Sequence, residues 1–274
     1  MKKLWVLAVL CGLLPAVKAA DVAGTEVGIT ADVTFVTKYI WRGYDVLDDK
    51  AAWQPSVNLD LGGGFDFNVW ASYPGAGGQT MHGADLSRVD KTQYNYTLSY
   101  SNSLFEDCYK TDYKVGWRYY DYISMPSDAI DLQEGFIEVS MPQLIGNGLV
   151  PHAAYYQMWK AKHTDGPIIT YNGDTMPAIT GGAILLAGFD YNFTLPETTD
   201  LPMIFSWDIV YNDGVGTENV DHDWSHMLWG LKTNFKCPMT GATITPAVYF
   251  QNSFESTVND EDELFAGLSY TLNF

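Results

Sequence analysis

The sequence predicts an all-β chain: a single closed antiparallel transmembrane β-barrel of about twelve strands, both termini periplasmic. Three observations point there. Apolar and polar residues alternate with period two in segment after segment, which gives each extended strand two unlike faces. The last eleven residues, LFAGLSYTLNF, place Leu264, Ala266, Leu268, Tyr270, Leu272 and Phe274 on one face. Phe265, Gly267, Ser269, Thr271 and Asn273 take the other, which suits a strand with lipid on one side and a lumen on the other. Beyond the N-terminal leader, no stretch reaches the roughly 18 apolar residues of a membrane-spanning helix.

The leader itself is Met1-Lys2-Lys3, an apolar run over 4–14, and the small residues of Val17-Lys18-Ala19-Ala20. Residues 1–20 are therefore expected to be a cleaved signal peptide and 21–274 the outer-membrane barrel. Cys11 leaves with the leader, and the bulky Leu10 before it argues against a lipid anchor. Of 15 basic residues 12 then remain against 33 acidic ones, so the charge moves from −18 to −21. So acidic a surface excludes nucleic acid as a partner.

Alternation with breaks at Gly, Pro, Asn or Asp predicts strands over 27–44, 51–61, 65–73, 91–101, 109–122, 131–142, 149–161, 178–194, 202–212, 223–236, 242–254 and 262–274. Most reach the roughly 9–11 residues that a tilted barrel strand needs. The outward set of the first reads Ile29, Val33, Phe35, Tyr39 and Trp41. That of the ninth reads Met203, Phe205, Trp207, Ile209 and Tyr211, and that of the tenth Met227, Trp229, Leu231 and Phe235. The seventh has no clearly apolar parity. Links alternate in character: the longest, 74–90 and 163–177, fall on the side that also carries Asp45, Asp48, Asp49, Asp213, Glu218, Asp221, Glu255 and Asp260. With an even strand count these long acidic loops face outside the cell. Tyr39, Trp41, Trp53, Tyr73, Trp117, Tyr119 and Tyr211, near strand ends, read as interfacial aromatic girdles. A soluble β-sandwich also alternates, but it would leave few aromatics facing out.

The opposite parity defines the lumen. A Lys or Arg facing lipid at mid-depth costs about 2–4 kcal/mol, which explains why strand charges share one parity. The pore-lining candidates are Lys38, Arg42, Asp60, Lys114, Arg118, Glu134, Glu138, Asp190, Asp208 and Lys232. Asp32, Asn58, Asp66, Asn68, Lys91, Gln93 and Asn95 join them on the inward face. Lys38, Arg42, Lys114 and Arg118 are expected to form one wall of a constriction, with Asp60, Glu134, Glu138 and Asp208 supplying the opposite sign.

Hairpin partners share a constant sum of residue numbers. Lys114 with Glu138 and Arg118 with Glu134 share one such sum, centred on Pro126 in the turn-like Met125-Pro126-Ser127-Asp128, so both are expected as cross-strand pairs. They would be either a charged ladder lining a pore or a plug of salt bridges. By the same reasoning Asp190 would face Asp208 about Thr199, and His226 would face Asp208 about Thr217. That arrangement admits an acid–base group, although a solvated lumen or a register off by two residues explains it as well.

No catalytic residue, cofactor or metal site is assigned. His222 and His226 beside Asp221 and Asp223 lie at a loop–strand junction without a cysteine, a poor metal set. Cys108 and Cys237 fall in oxidising periplasmic links on opposite sides of the ring, and separate thiols are expected. Gly62-Gly63-Gly64 is a tight turn, since no helix follows to make it a phosphate loop.

The residues Tyr39, Trp41-Arg42-Gly43, Gln54-Pro55, Val69-Trp70-Ala71 and Tyr119-Tyr120-Asp121-Tyr122 carry a resemblance to the TorF-type porin family. The terminal strand is similar to the C-terminal assembly signal of bacterial outer-membrane barrels, ending in Phe274. The resemblance implies a small outer-membrane barrel with no assigned catalytic residue, and partners comprising outer-membrane lipid, lipopolysaccharide, the barrel-assembly machinery and small solutes. The expected function is a narrow pore for small hydrophilic solutes or ions. The alternatives are a non-conducting structural or recognition barrel and, further off, a membrane-embedded lipid-modifying enzyme.

Overall fold

A computed structural model of the chain describes residues 20–22, 25–75, 91–123, 127–162, 168–169, 175–176, 179–195, 201–217 and 220–274. The expected leader up to residue 19 and most of the two longest loops, 76–90 and 163–167 with 170–174, lie outside the described residues. Twelve long strands make the ring. They are β1 (Thr25–Val36), β2 (Ala52–Gly62), β3 (Phe65–Pro74), β4 (Gln93–Leu104), β5 (Thr111–Asp121) and β6 (Leu132–Ser140). They continue as β7 (Leu149–Lys160), β8 (Gly182–Leu195), β9 (Leu201–Asp213), β10 (His222–Thr233), β11 (Thr243–Ser253) and β12 (Glu263–Asn273). Each pairs antiparallel with its sequence neighbours. Helix among the described residues is limited to single turns at Asp107–Tyr109 and Ser127–Ile130.

The ring closes because β1 pairs on both sides: with β2 from Gly28↔Asp60 to Val36↔Ala52, and with β12 from Thr30↔Asn273 to Val36↔Gly267. Ile29 and Phe274 exchange backbone hydrogen bonds of 3.3 and 2.8 Å at the seam. A closed ring leaves no strand edge, the one way a sheet can satisfy every backbone polar group in lipid.

Side chains alternate across the wall as the sequence predicts. Leu264 and Leu268 are 64 and 51% exposed on the outside of β12, and Trp53, Trp117, Trp229 and Leu231 also face out. Inside, Ser269 and Thr271 bond to Thr34 and Asp32 of β1. The ambiguous seventh strand resolves: Tyr155 and Trp159 face out, whereas Met158, 1% exposed, faces in. A bulge between β9 and β10 pairs Val210 with His226 but Tyr211 with Trp224, so Ser225 and His226 both turn inward and are buried.

All predicted spans but the first agree with the strands to within a few residues. The first is too long. β1 ends at Val36, and residues 37–51 leave the wall and fold into the lumen. Tyr39 is therefore buried inside, and Trp41 packs against the inward Tyr120 at 5.7 Å. Neither is a lipid-facing aromatic, contrary to their predicted parity.

Leu268→Arg on the lipid face should lower the unfolding free energy by about 2–4 kcal/mol. Thr271→Arg, on the lumen face beside Asp32, should cost less. Denaturant titrations in lipid vesicles check this; equal losses would contradict the assigned faces.

Candidate functional site

The inward-folded segment is a small hairpin. Ile40–Trp41 pairs with Tyr44–Asp45, and Val46 N–H donates to the Tyr39 carbonyl at 3.0 Å. Its two-residue tip has positive φ at both positions, Arg42 at 49° and Gly43 at 97°, as a type I′ turn requires. Glycine is obligatory at the second, since a Cβ would lie 2.6 Å from His226 Nδ1 and 2.9 Å from Val258. Arginine at the first carries a conformational cost that its contacts must offset.

The tip reaches the far side of the ring. Arg42 bonds Glu134 of β6 at 2.7 Å, stacks on Tyr156 of β7 at 3.8 Å, and lies 3.5 Å from Met158 Sδ. Gln251 of β11 donates to the Gly43 carbonyl at 2.9 Å. Asn212 of β9 donates to the Tyr44 hydroxyl, which in turn donates to the Val215 carbonyl. At the base, Tyr39 donates to Gln93 of β4, Lys91 to the Val46 carbonyl at 2.5 Å, and Lys38 pairs with Asp49 and Glu263. The hairpin thus crosses the lumen in the half remote from the chain termini, hereafter the loop half.

Glu134 is the centre of this half. It is fully buried and accepts from Arg42, from Arg118 at 3.1 Å and from the Tyr120 hydroxyl at 2.7 Å. Beside it pack Tyr120, Leu132, Met158, Ile184, Val210 and Val215. Around the hairpin base, hydrogen bonds from Lys38 to Asp49 and Glu263 hold that ammonium above its ordinary pKa against the opposing effect of burial. Burial pushes the Asp45 carboxyl up, opposed by the backbone N–H groups of Asp49 and Leu47. Burial pulls the Lys91 ammonium down, with Asp45 and Asp48 pushing back.

The termini half of the lumen holds open space. A cavity of about 580 Å³ is lined there by Ser103, Asp112, Lys114, Glu138, Ser140, His152 and Asp208 among others. Lys114 stands opposite Glu138, and Arg118 opposite Glu134, in the predicted register. Only the second couple closes into an ion pair; Glu138 instead accepts from Tyr156 at 3.0 Å.

Three sequence expectations need correction. Asp190 faces Ser206, not Asp208, and Asp208 faces Leu228, not His226: both registers are two residues away from the expected ones. Asp208 is instead bound by His152 Nε2 at 2.6 Å, two strands away. The contact passes over Gly188, the intervening position, where a Cβ would lie 2.8 Å from His152. His226 contacts Ser225 Oγ at 2.9 Å, while His222 pairs with exposed Asp213, so the two histidines do not converge. Finally, the charges do not form opposed walls. Lys114, Arg118, Glu134 and Glu138 share adjacent strands, and Arg42 crosses over to join them. Asp60, Asp190 and Lys232 lie inward in the termini half, on β2, β8 and β10. Cys108 and Cys237 are unbonded.

Glu134→Ala leaves two guanidinium groups without a counter-charge and should destabilise the protein by about 3–5 kcal/mol. Arg42→Met should cost less, because Arg118 still compensates Glu134. In the folded Glu134→Ala barrel, trypsin should also cut after Arg42 faster than in the wild type; unchanged cleavage would show that Glu134 does not pin the hairpin.

No protein-family model matches the chain, and no curated protein matches it by sequence. Solved structures do match in fold. The chain is similar to the KdgM porin at a TM-score of 0.52 and 10% identity, covering 89% of this chain and 99% of that one. It is similar to the NanC porin at 0.53 and 8% identity, covering 88% and 98%. It is also similar to the COG4313 outer membrane channel from Pseudomonas putida F1 at 0.53 and 9% identity, covering 91% and 97%. At these identities the likeness establishes a shared architecture: the chain has the closed-barrel fold of outer-membrane porins and channels.

Proposed function

We propose that this protein is an outer-membrane pore of the porin class, narrow because its first loop folds across the lumen, and that it passes small hydrophilic solutes or ions without catalysis. In this reading residues 1–20 are a cleaved signal peptide, the termini half opens to the periplasm, and the chain is a TorF-type porin. Lipopolysaccharide meets the loop end, and the barrel-assembly machinery engages the strand ending in Phe274. One observation carries the proposal: a closed twelve-strand ring with an apolar exterior encloses a polar, charged lumen. Eight strands leave an interior that side chains can fill, and sixteen leave an open channel. Twelve leaves room that a single hairpin can regulate.

The hairpin meets the wall through both apolar and polar contacts. Tyr39 packs on Trp70, Trp41 on Tyr120, and Leu47 is buried, while the polar contacts are ion pairs at Lys38 and Arg42 and hydrogen bonds at Tyr39, Gly43 and Tyr44. The same packing also favours a second reading, a recognition or structural barrel closed at the loop half. Conductance separates the two. Val36 and Ala52 face each other across the ladder, so a tight turn can replace 38–50 without altering the ring. In planar bilayers the wild type should give small stepwise conductances, Arg42→Ala larger ones, and the loop-trimmed protein the largest, several-fold above wild type. Silence from the loop-trimmed protein would favour the structural barrel.

A further inference from the structure

We infer that the lumen selects for cations, passing small inorganic or organic cations in preference to anions; this rests on the pore reading. The asymmetry is in the termini half. Six inward carboxylates, Asp32, Asp60, Asp66, Glu138, Asp190 and Asp208, come from β1, β2, β3, β6, β8 and β9. Inward ammonium groups among the described residues of that half are Lys114 on β5, Lys232 on β10 and, at the rim, Lys236, which stands opposite the inward Thr243 and donates to its hydroxyl at 2.6 Å, so the six carboxylates still outnumber them. Asp112 is left out of this comparison because Lys110 at the rim, 3.3 Å away, offsets it.

Four of the six carboxylates are held by neutral donors, Asp60 by the Gly62 N–H at 2.9 Å and the other three by side chains, which fix the group without cancelling its charge. Asp32 accepts from the Thr34 and Thr271 hydroxyls at 2.8 and 2.6 Å, Asp66 from the Asn58 amide at 2.9 Å, and Glu138 from the Tyr156 phenol. Asp208 is bonded to His152. The carboxylates lie on β1 to β3, β6, β8 and β9, so they face the path from several sides of the ring instead of marking one wall. Low-dielectric walls concentrate such a field and enrich the counter-ion.

The basic groups that could cancel this field are committed elsewhere. Arg42 and Arg118 share Glu134 and are capped by the rings of Tyr156 and Phe136. Their side chains are only 14 and 24% exposed, so little of their charge faces lumen water. Lys38 is held between Asp49 and Glu263 at the hairpin base. What remains facing the solvent in the termini half is net negative.

The test is the reversal potential in planar bilayers under a potassium chloride gradient, with the wild type and the loop-trimmed protein side by side. The expected result is potassium over chloride by on the order of tenfold at low salt. The preference should weaken toward 1 M, where the screening length falls to about 3 Å. The isosteric triple variant Asp66→Asn, Glu138→Gln, Asp190→Asn should lose most of the preference while still conducting. Chloride preference, or none, in a conducting protein overturns the inference and leaves the pore reading standing. A preference unchanged in the triple variant also overturns it, because the selecting charges would then lie outside the lumen. Silence from both proteins overturns the pore reading and this inference with it.

Discussion

Hydrogen bonds between the first and last strands are the constraint on which the rest depends. A sheet in hydrocarbon cannot leave an edge, since each unpaired backbone group there costs several kcal/mol. The register that joins β1 to β12, from Thr30↔Asn273 to Val36↔Gly267, therefore decides more than ring size. It brings Asp32 beside Thr271 and Thr34 beside Ser269. β12 runs on past Gly267 to Glu263, but after one more bond, from the Thr37 N–H to the Ala266 carbonyl at 2.9 Å, the chain leaves that ladder and the next residues go up into solvent or down into the lumen.

Here they go down, and Glu134 explains why they stay. A buried carboxylate is costly unless it is paired and hydrogen-bonded. Arg118 from the next strand supplies one guanidinium, and without Arg42 one carboxylate oxygen would depend on the Tyr120 hydroxyl. The wall thus presents a half-satisfied anion, and the hairpin tip completes it. The left-handed backbone at Arg42 and the glycine at 43 are the local price of delivering that charge across the lumen.

What was legible in the sequence follows from the same geometry. Period-two alternation reports which face meets lipid, so strand spans and outward sets were readable. The β5–β6 register was readable too, because one register sets Glu138 opposite Lys114 and Glu134 opposite Arg118. The β8–β9 and β9–β10 registers were not. A slip of one residue moves every side chain to the wrong face, but a slip of two preserves the alternation, so the pattern cannot detect it. That slip hid the His152–Asp208 contact, and the ambiguous parity of β7 hid it further: inward Ala154, Tyr156 and Met158 look lipid-facing by composition. Tyr39 and Trp41 failed for a related reason. An aromatic that continues the alternation past Val36 has the same local signature whether it meets lipid or the interior of the ring.

The hairpin is attached to the barrel in a way unlike the wall's attachment to itself. Every wall strand is held by a ladder of backbone bonds, whereas the hairpin is held by side chains from eight or so positions and leaves faults behind. Gln54 Nε2, Ser72 Oγ and Gln251 Oε1 are buried in the loop half with no partner among the described residues. Such groups cost roughly 1–3 kcal/mol each when left unmade. Gln251 already spends its amide on the Gly43 carbonyl. A core selected only for stability would fill those sites with apolar groups, as Leu47 and Trp41 do elsewhere along the hairpin. Because Val36 and Ala52 already meet, the ring does not need residues 37–51 for closure. Their sequence is therefore free to answer to what passes through the lumen.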